Sequence, residues 1–107
     1  MISLYAQYIT EVANRHILEE PYGFITYEFE DKICYIADFF IVKEERGRGV
    51  ELFERVKAIA KDNGCFSVMG RVDAQNKLCS KLLSVYLRLG FKVIRAESGG
   101  IFLGKDI

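Results

Sequence analysis

The chain has 107 residues, of which 50% are hydrophobic and 28% charged, with 15 basic side chains against 15 acidic ones. That length supports one folded core with little to spare, and the composition excludes a disordered or low-complexity chain. A formal charge of zero argues against nucleic acid as the main partner, because neutralising phosphates takes a surplus of cations.

In residues 2–19, Ile2, Tyr5, Ile9, Val12 and Ile17 recur at near-helical intervals. The spacing predicts an amphipathic helix that ends ahead of Pro21, the only proline. Its apolar face and the short N-terminal region lead us to expect a homodimer. The segment has no basic leader, so a cytoplasmic chain is expected rather than a secreted one. No apolar run approaches the roughly 20 residues that cross a bilayer, so no membrane partner is expected.

From Gly23 the period changes to two, with Ile25, Tyr27 and Phe29 alternating with Thr26, Glu28 and Glu30. The Glu-Asp-Lys at 30–32 predicts a hairpin turn, and Ile-Cys-Tyr-Ile-Ala-Asp-Phe-Phe-Ile-Val (33–42) a central strand covered on both faces. A glycine turn follows, then a helix from about Val50 to Lys61 with Leu52, Phe53, Val56 and Ile59 on one stripe. Asp-Asn-Gly at 62–64 stops it. A strand is predicted at 65–72 and a helix over Asn76–Leu89, with Leu78, Leu82, Val85 and Leu89 on a face and Gly90 as its cap. Two short strands around Ser98-Gly99-Gly100 close the chain. The predicted order is α-β-β-α-β-α-β-β, an α/β (α+β) mixed sheet with helices against it in a single domain, residues 1–107.

Cys34, Cys65 and Cys79 are odd in number and match no zinc or redox spacing, so they read as reduced, mostly buried thiols. His16 is the only histidine, which leaves neither a multi-histidine metal site nor a Ser-His-Asp triad. No metal is expected.

The sequence Glu-Glu-Arg-Gly-Arg-Gly-Val-Glu (44–51) asks for a different explanation. A strand running into glycines and then a helix presents bare backbone N–H groups and the positive helix end. Arg46 and Arg48 add donors suited to phosphate oxygens. A Walker loop needs Gly-Lys-Ser/Thr at its end, and a dinucleotide fingerprint needs a third glycine where Leu52 stands; neither fits.

The stretch Tyr35–Val50 resembles the signature of the GCN5-related N-acetyltransferase (GNAT) family: a central strand, a short acidic link, then Arg/Gln-x-x-Gly-x-Gly/Ala. Here that motif reads Arg46-Gly47-Arg48-Gly49-Val50-Glu51. The second half adds Val72-x-x-x-Asn76, the small residue Cys79, and Tyr86-x-x-x-Gly90-Phe91, in the family's order. The match covers roughly 22–107, which would form an acetyl-CoA-binding core behind an N-terminally abbreviated helix, 2–19.

The resemblance implies an acetyl-CoA-dependent N-acetyltransferase that moves an acetyl group from the thioester to a primary amine of a small molecule or protein. Backbone amides from Gly47 to Leu52 would hold the pyrophosphate, assisted by Arg46 and Arg48, while Phe39, Phe40 and Ile41 would bond the pantetheine arm and Asn76 would assist. Tyr86 would serve the departing thiolate. Counted forward from Asn76 that tyrosine position falls on Leu83, and counted backward from Gly90-Phe91 on Tyr86; the helix end beside the sheet favours Tyr86. The family's strand glutamate falls on Tyr35, leaving Asp38 as a catalytic acid/base or a structural acceptor, with Glu28 as a further candidate. Glu51 stands where the family has Gly or Ala, and beside a pyrophosphate it must turn outward. An inactive binding or assembly module on the same fold is the alternative.

Overall fold

The structure, a computed structural model, describes residues 3–107, apart from the side chain of Arg46. Ser3 caps helix α1 (Leu4–Glu11), its hydroxyl accepting from the Ala6 N–H at 3.0 Å. The helix expected over 2–19 therefore stops at Glu11, and Ile2 lies outside the described residues. Asn14 takes a left-handed φ of 54° and turns the chain, so that His16–Glu20 becomes strand β1 instead. Tertiary pairing overrides the helical spacing here. β1 matches β2 (Gly23–Glu30) residue for residue, from His16 opposite Tyr27 to Glu20 opposite Gly23. Pro21 and Tyr22 are left as a two-residue hairpin loop, a place where a fixed proline φ is an asset. The order is thus α-β-β-β-α-β-α-β-β, one strand more than expected.

The next hairpin forms where predicted. Asp31 and Lys32 both take positive φ (52° and 63°), the geometry that matches strand twist. β3 (Ile33–Ile41) follows and runs into a 3-10 turn (Lys43–Arg48), then helix α2 (Gly49–Asp62). Asn63 and Gly64 (φ 79°) end α2, and β4 (Ser67–Asp73) returns parallel to β3. Helix α3 (Cys79–Arg88) starts three residues later than predicted, because the Asn76 side chain accepts from the Leu78 N–H at 2.8 Å and holds 76–78 in a turn. β5 (Lys92–Glu97) and β6 (Gly100–Asp106) complete a six-stranded sheet in the order β1-β2-β3-β4-β6-β5. β5 is an edge strand exposed along its whole length, with a register shift between Val93 and Arg95.

The two faces of the sheet differ. α2 and α3 cover one, where Leu52, Phe53, Val56 and Ala60 meet Ile25, Cys34, Val68, Val72 and Leu103, all fully buried. Each of the Val, Leu, Ile and Phe side chains among them contributes about 1.5–3 kcal/mol by leaving water. Phe53 and Tyr86 both pack edge-on to Phe91, at 5.3 and 4.9 Å between ring centres. α1 lies on the other face, where Tyr5 contacts Phe24 (4.9 Å) and Phe24 contacts Phe40 (5.7 Å). Beyond α1 this second face carries Tyr35, Met69, Arg71 and Phe102, with no described helix across it.

Candidate active site

The site originates in one irregularity of β3. Opposite β2, Ile36 pairs with Tyr27 and Asp38 with Thr26, so Ala37 is an extra residue with no partner. Opposite β4, pairing runs from Ile33 to Ile36 and stops. Ala37 is therefore matched on neither side, and from there to Ile41 the strand is hydrogen-bonded along one edge only. Bulges of this kind re-aim side chains and end pairing. The consequence is a slit through the sheet between β3 and β4.

A cavity of about 640 Å³ occupies that slit and reaches both faces. On the helical side it is lined by Gly49, Asn76, Leu82 and Tyr86, and on the other by Phe24, Glu28, Asp38 and Arg71. Phe39, Phe40 and Ile41 line it along the unpaired edge. The alternate N–H and C=O groups of that edge have no strand to bond, so they are free for an extended ligand.

At one end of the slit stands the start of α2. Its N-cap, Arg48, makes no side-chain capping hydrogen bond, so no described side chain caps the positive end of the helix. Seven of the nine glycines have a reason inside the fold, either a positive φ or a neighbouring atom closer than 3.0 Å to where a Cβ would stand. Gly47 and Gly49 have neither. Nothing lies within 4 Å of a Cβ at Gly47, and the nearest atoms to one at Gly49 are at 3.5 Å, an ordinary contact. Glycine in a helical turn costs about 0.5–1 kcal/mol relative to alanine. The fold gains nothing from that cost, whereas an anion brought against the backbone does.

Arg48 holds its guanidinium 4.0 Å over the Tyr22 ring and its Nε 3.4 Å from Glu51. Glu51 thus points outward to solvent, 62% exposed, and is not among the cavity-lining residues. Val50 is exposed on the first turn, Leu52 fully buried, and the Arg46 side chain lies outside the described residues.

At the other end the cavity brings Tyr86 and Asp38 together across the slit. Tyr86 is 1% exposed and packs against Gly70, where a Cβ would come within 2.8 Å of its ring. Burial, and then the nearby Asp38 charge, push its phenol well above the ordinary tyrosine range. Asp38 accepts a hydrogen bond from the buried Thr26 hydroxyl at 2.7 Å. Tyr5 feels the same carboxylate, its phenol raised first by burial and then by Asp38. Glu28, also on the cavity wall, is tied to Arg15 at 3.3 Å. Sequence reasoning overlooked Arg15, Ala37, Arg71 and Lys81 as part of the cavity. The one available signal was Gly70, since a glycine inside a strand marks a close approach, here by Tyr86.

No family model matches the chain, and no curated protein matches it in sequence. Solved structures do match. The PaiA N-acetyltransferase of Thermoplasma acidophilum, solved in complex with coenzyme A, aligns with a TM-score of 0.73 at 20% identity, over 92% of this chain and 66% of its own. The IAA acetyltransferase of Bacillus cereus aligns at 0.71 with 17% identity, over 98% of this chain and 85% of its own. The anti-CRISPR protein AcrVA5 aligns at 0.67 with 18% identity, over 82% and 96% respectively. This chain therefore spans just under two thirds of the first of these and nearly all of the third. At such identities the likeness shows the fold, and the fold is that of the GNAT acetyltransferases.

Proposed function

We propose that the protein is an acetyl-CoA-dependent N-acetyltransferase acting on a primary amine. The observation that carries this reading is the pair Gly47 and Gly49, bare positions that the fold does not require, set at an uncapped helix start where a slit opens. Acetyl-CoA fits as a substrate laid along that slit. Its pyrophosphate meets the N–H groups from Gly47 to Leu52, and its pantetheine arm runs beside Phe39, Phe40 and Ile41 with Asn76 opposite. Arg48 stands beside the diphosphate, and Glu51 stays turned away.

The thioester then lies by Ala37, where an N–H of the unpaired β3 edge polarises the acetyl carbonyl. The amine nitrogen attacks the carbonyl carbon, the C–S bond breaks, and the amine gives up a proton to Asp38 directly or through water. Coenzyme A departs as the thiolate, which then takes up a proton from solvent. Tyr86 faces the departing sulfur, and its raised pKa defines what it does there. A thiol of ordinary pKa (about 8.5) is a stronger acid than this phenol, so the O–H donates a hydrogen bond to the developing thiolate rather than surrendering its proton. Holding amine and thioester side by side supplies much of the remaining acceleration.

Thermal unfolding with and without acetyl-CoA tests the reading, because saturation at 100 times the dissociation constant adds about 2.7 kcal/mol. No shift at millimolar acetyl-CoA would sink it. Tyr86→Phe is expected to keep that shift and to slow turnover by about 100-fold, as loss of one preorganised donor does.

Two further parts of the reading rest on the surface and the composition. Leu4, Tyr8 and Val12 form a stripe on α1 that is 83%, 55% and 68% exposed, which supports a homodimer; light scattering showing a 12.3 kDa monomer would exclude it. The three free cysteines support a cytoplasmic location, and the zero net charge supports the absence of nucleic-acid partners. No described helix is long and apolar enough to cross a membrane.

A further inference from the structure

A second hollow lies on the sheet face away from α2 and α3. It has a volume of about 230 Å³ and is lined by Tyr35, Ile36, Met69, Gly70, Arg71, Arg95 and Phe102. Tyr35, Ile36 and Arg71 also line the main cavity, so the two spaces adjoin at the top of the slit. Arg71 lies one residue past Gly70, the last β4 position paired with β3, and so stands across from the unmatched Ala37.

The hollow is built around two cations and a ring. Arg71 and Arg95 both place their guanidinium carbons near Phe102, at 5.7 and 4.4 Å from the ring centre. Nearby acids are already committed. Glu97 accepts from Arg95 Nε at 2.9 Å, Asp73 accepts from the Gln75 N–H at 2.9 Å, and Glu28 is tied to Arg15. Arg71 has no ion-pair partner among the described residues, and a flat fork of donors resting on aromatic surface at a cavity junction suits a planar or tetrahedral anion. Coenzyme A is held from the α2 end and along the unpaired edge of β3, so its phosphates lie at the far end from this hollow.

We infer that the acceptor is an amine that also carries an anionic group, with Arg71 as the specificity-determining residue and Arg95 assisting from β5. The anion sits in the Arg71–Phe102–Arg95 hollow while the amine reaches through the slit toward Asp38 and the thioester. This rests on the acetyltransferase reading for its amine half, and its anion half is measurable without turnover.

The test uses the full chain and three probes of matched length: an aminoalkyl carboxylate, the corresponding aminoalkyl phosphate and the corresponding aminoalkyl amide. Titration calorimetry in the presence and absence of coenzyme A is expected to show the acidic probes binding at least about tenfold more tightly than the amide, the order of one charge-assisted hydrogen bond. Whichever acidic probe binds better identifies the anion as carboxylate or phosphate. Arg71→Gln is expected to erase the preference, Arg71→Lys to restore part of it, and in turnover the loss should fall on KM with kcat retained. Equal binding of all three probes overturns the inference, as does a preference that survives in Arg71→Gln, whether or not acetyl-CoA binds. Failure of acetyl-CoA to shift the melting temperature, with acid-selective binding intact, overturns the acetyltransferase reading instead.

Discussion

The two halves of β3 are alike in composition and opposite in situation. Ile33–Ile36 is bonded on both edges and fits into the core, with Cys34 fully buried and Ile36 nearly so. Ala37–Ile41 is bonded on one edge and lines a cavity, with Phe40 42% exposed. One unmatched residue separates a strand that stabilises the domain from a strand that can hold a substrate. The difference teaches that apolar character does not say what a segment is apolar for; the partner on its second edge decides.

Substitutions can break that contrast. The largest effect is expected in the closed half, where Ile36→Ala should cost about 3 kcal/mol of stability through lost burial and a residual cavity, read from denaturant unfolding. Next comes Gly49→Asp, which puts a carboxylate where the slit meets α2. It should abolish the acetyl-CoA stabilisation of about 2.7 kcal/mol, read as the shift between the variant's own unfolding midpoints with and without coenzyme. A Gly49→Asp protein still protected by the coenzyme would remove the helix start from the site.

At the boundary between the halves, Gly70→Ala forces a Cβ against the Tyr86 ring and should cost about 2 kcal/mol. Alkaline titration then sharpens the closed half. Burial pushes the Cys34 thiol from 9.0 up to about 12, and Cys65 is raised in the same direction. Both raised values mean that the folded state keeps protons the unfolded chain loses. The stability that Cys34 gives is complete below pH 9 and falls as pH rises through 9 and toward 12, by up to about 1.4 kcal/mol per unit, and Cys65 adds to it in the same direction. Unfolding midpoints measured between pH 8 and 10 should show that slope, and the Cys34→Ala/Cys65→Ala protein should lack it. The smallest effect belongs to the open half: Phe40→Ala should change stability by less than about 0.5 kcal/mol, yet weaken coenzyme binding by removing a cavity wall.

Most of the sheet and both long helices were legible in the sequence, because their signals are local. Asp31-Lys32 turns where a short polar stretch interrupts alternation, Gly64 and Gly90 end helices through their φ, and Leu52, Phe53 and Val56 follow a helical stripe. The N-terminal segment was misread because Ile17 satisfies both a helical interval and a strand alternation. What decides it is pairing with Phe24–Tyr27, which local spacing does not see. The glycine turn announced itself, since two glycines stand there with neither a positive φ nor a crowding neighbour to account for them. Its acid did not: whether Glu51 faces a ligand or solvent depends on Arg48, three residues earlier and itself drawn over Tyr22. The bulge at Ala37 and the meeting of Arg71 with Arg95 over Phe102 arise from contacts between strands distant in sequence, and no run of residues encodes them alone.

The shift between Val93 and Arg95 on β5 bears on how the molecule behaves in a crowd. An outermost strand with exposed Val93 and Ile94 invites a second sheet to dock and continue the ladder. The local kink puts the two sides of such a ladder out of step, and the charges of Lys92, Arg95 and Glu97 along the same short strand discourage a neighbour from settling. Fibril growth from that border is thereby hindered.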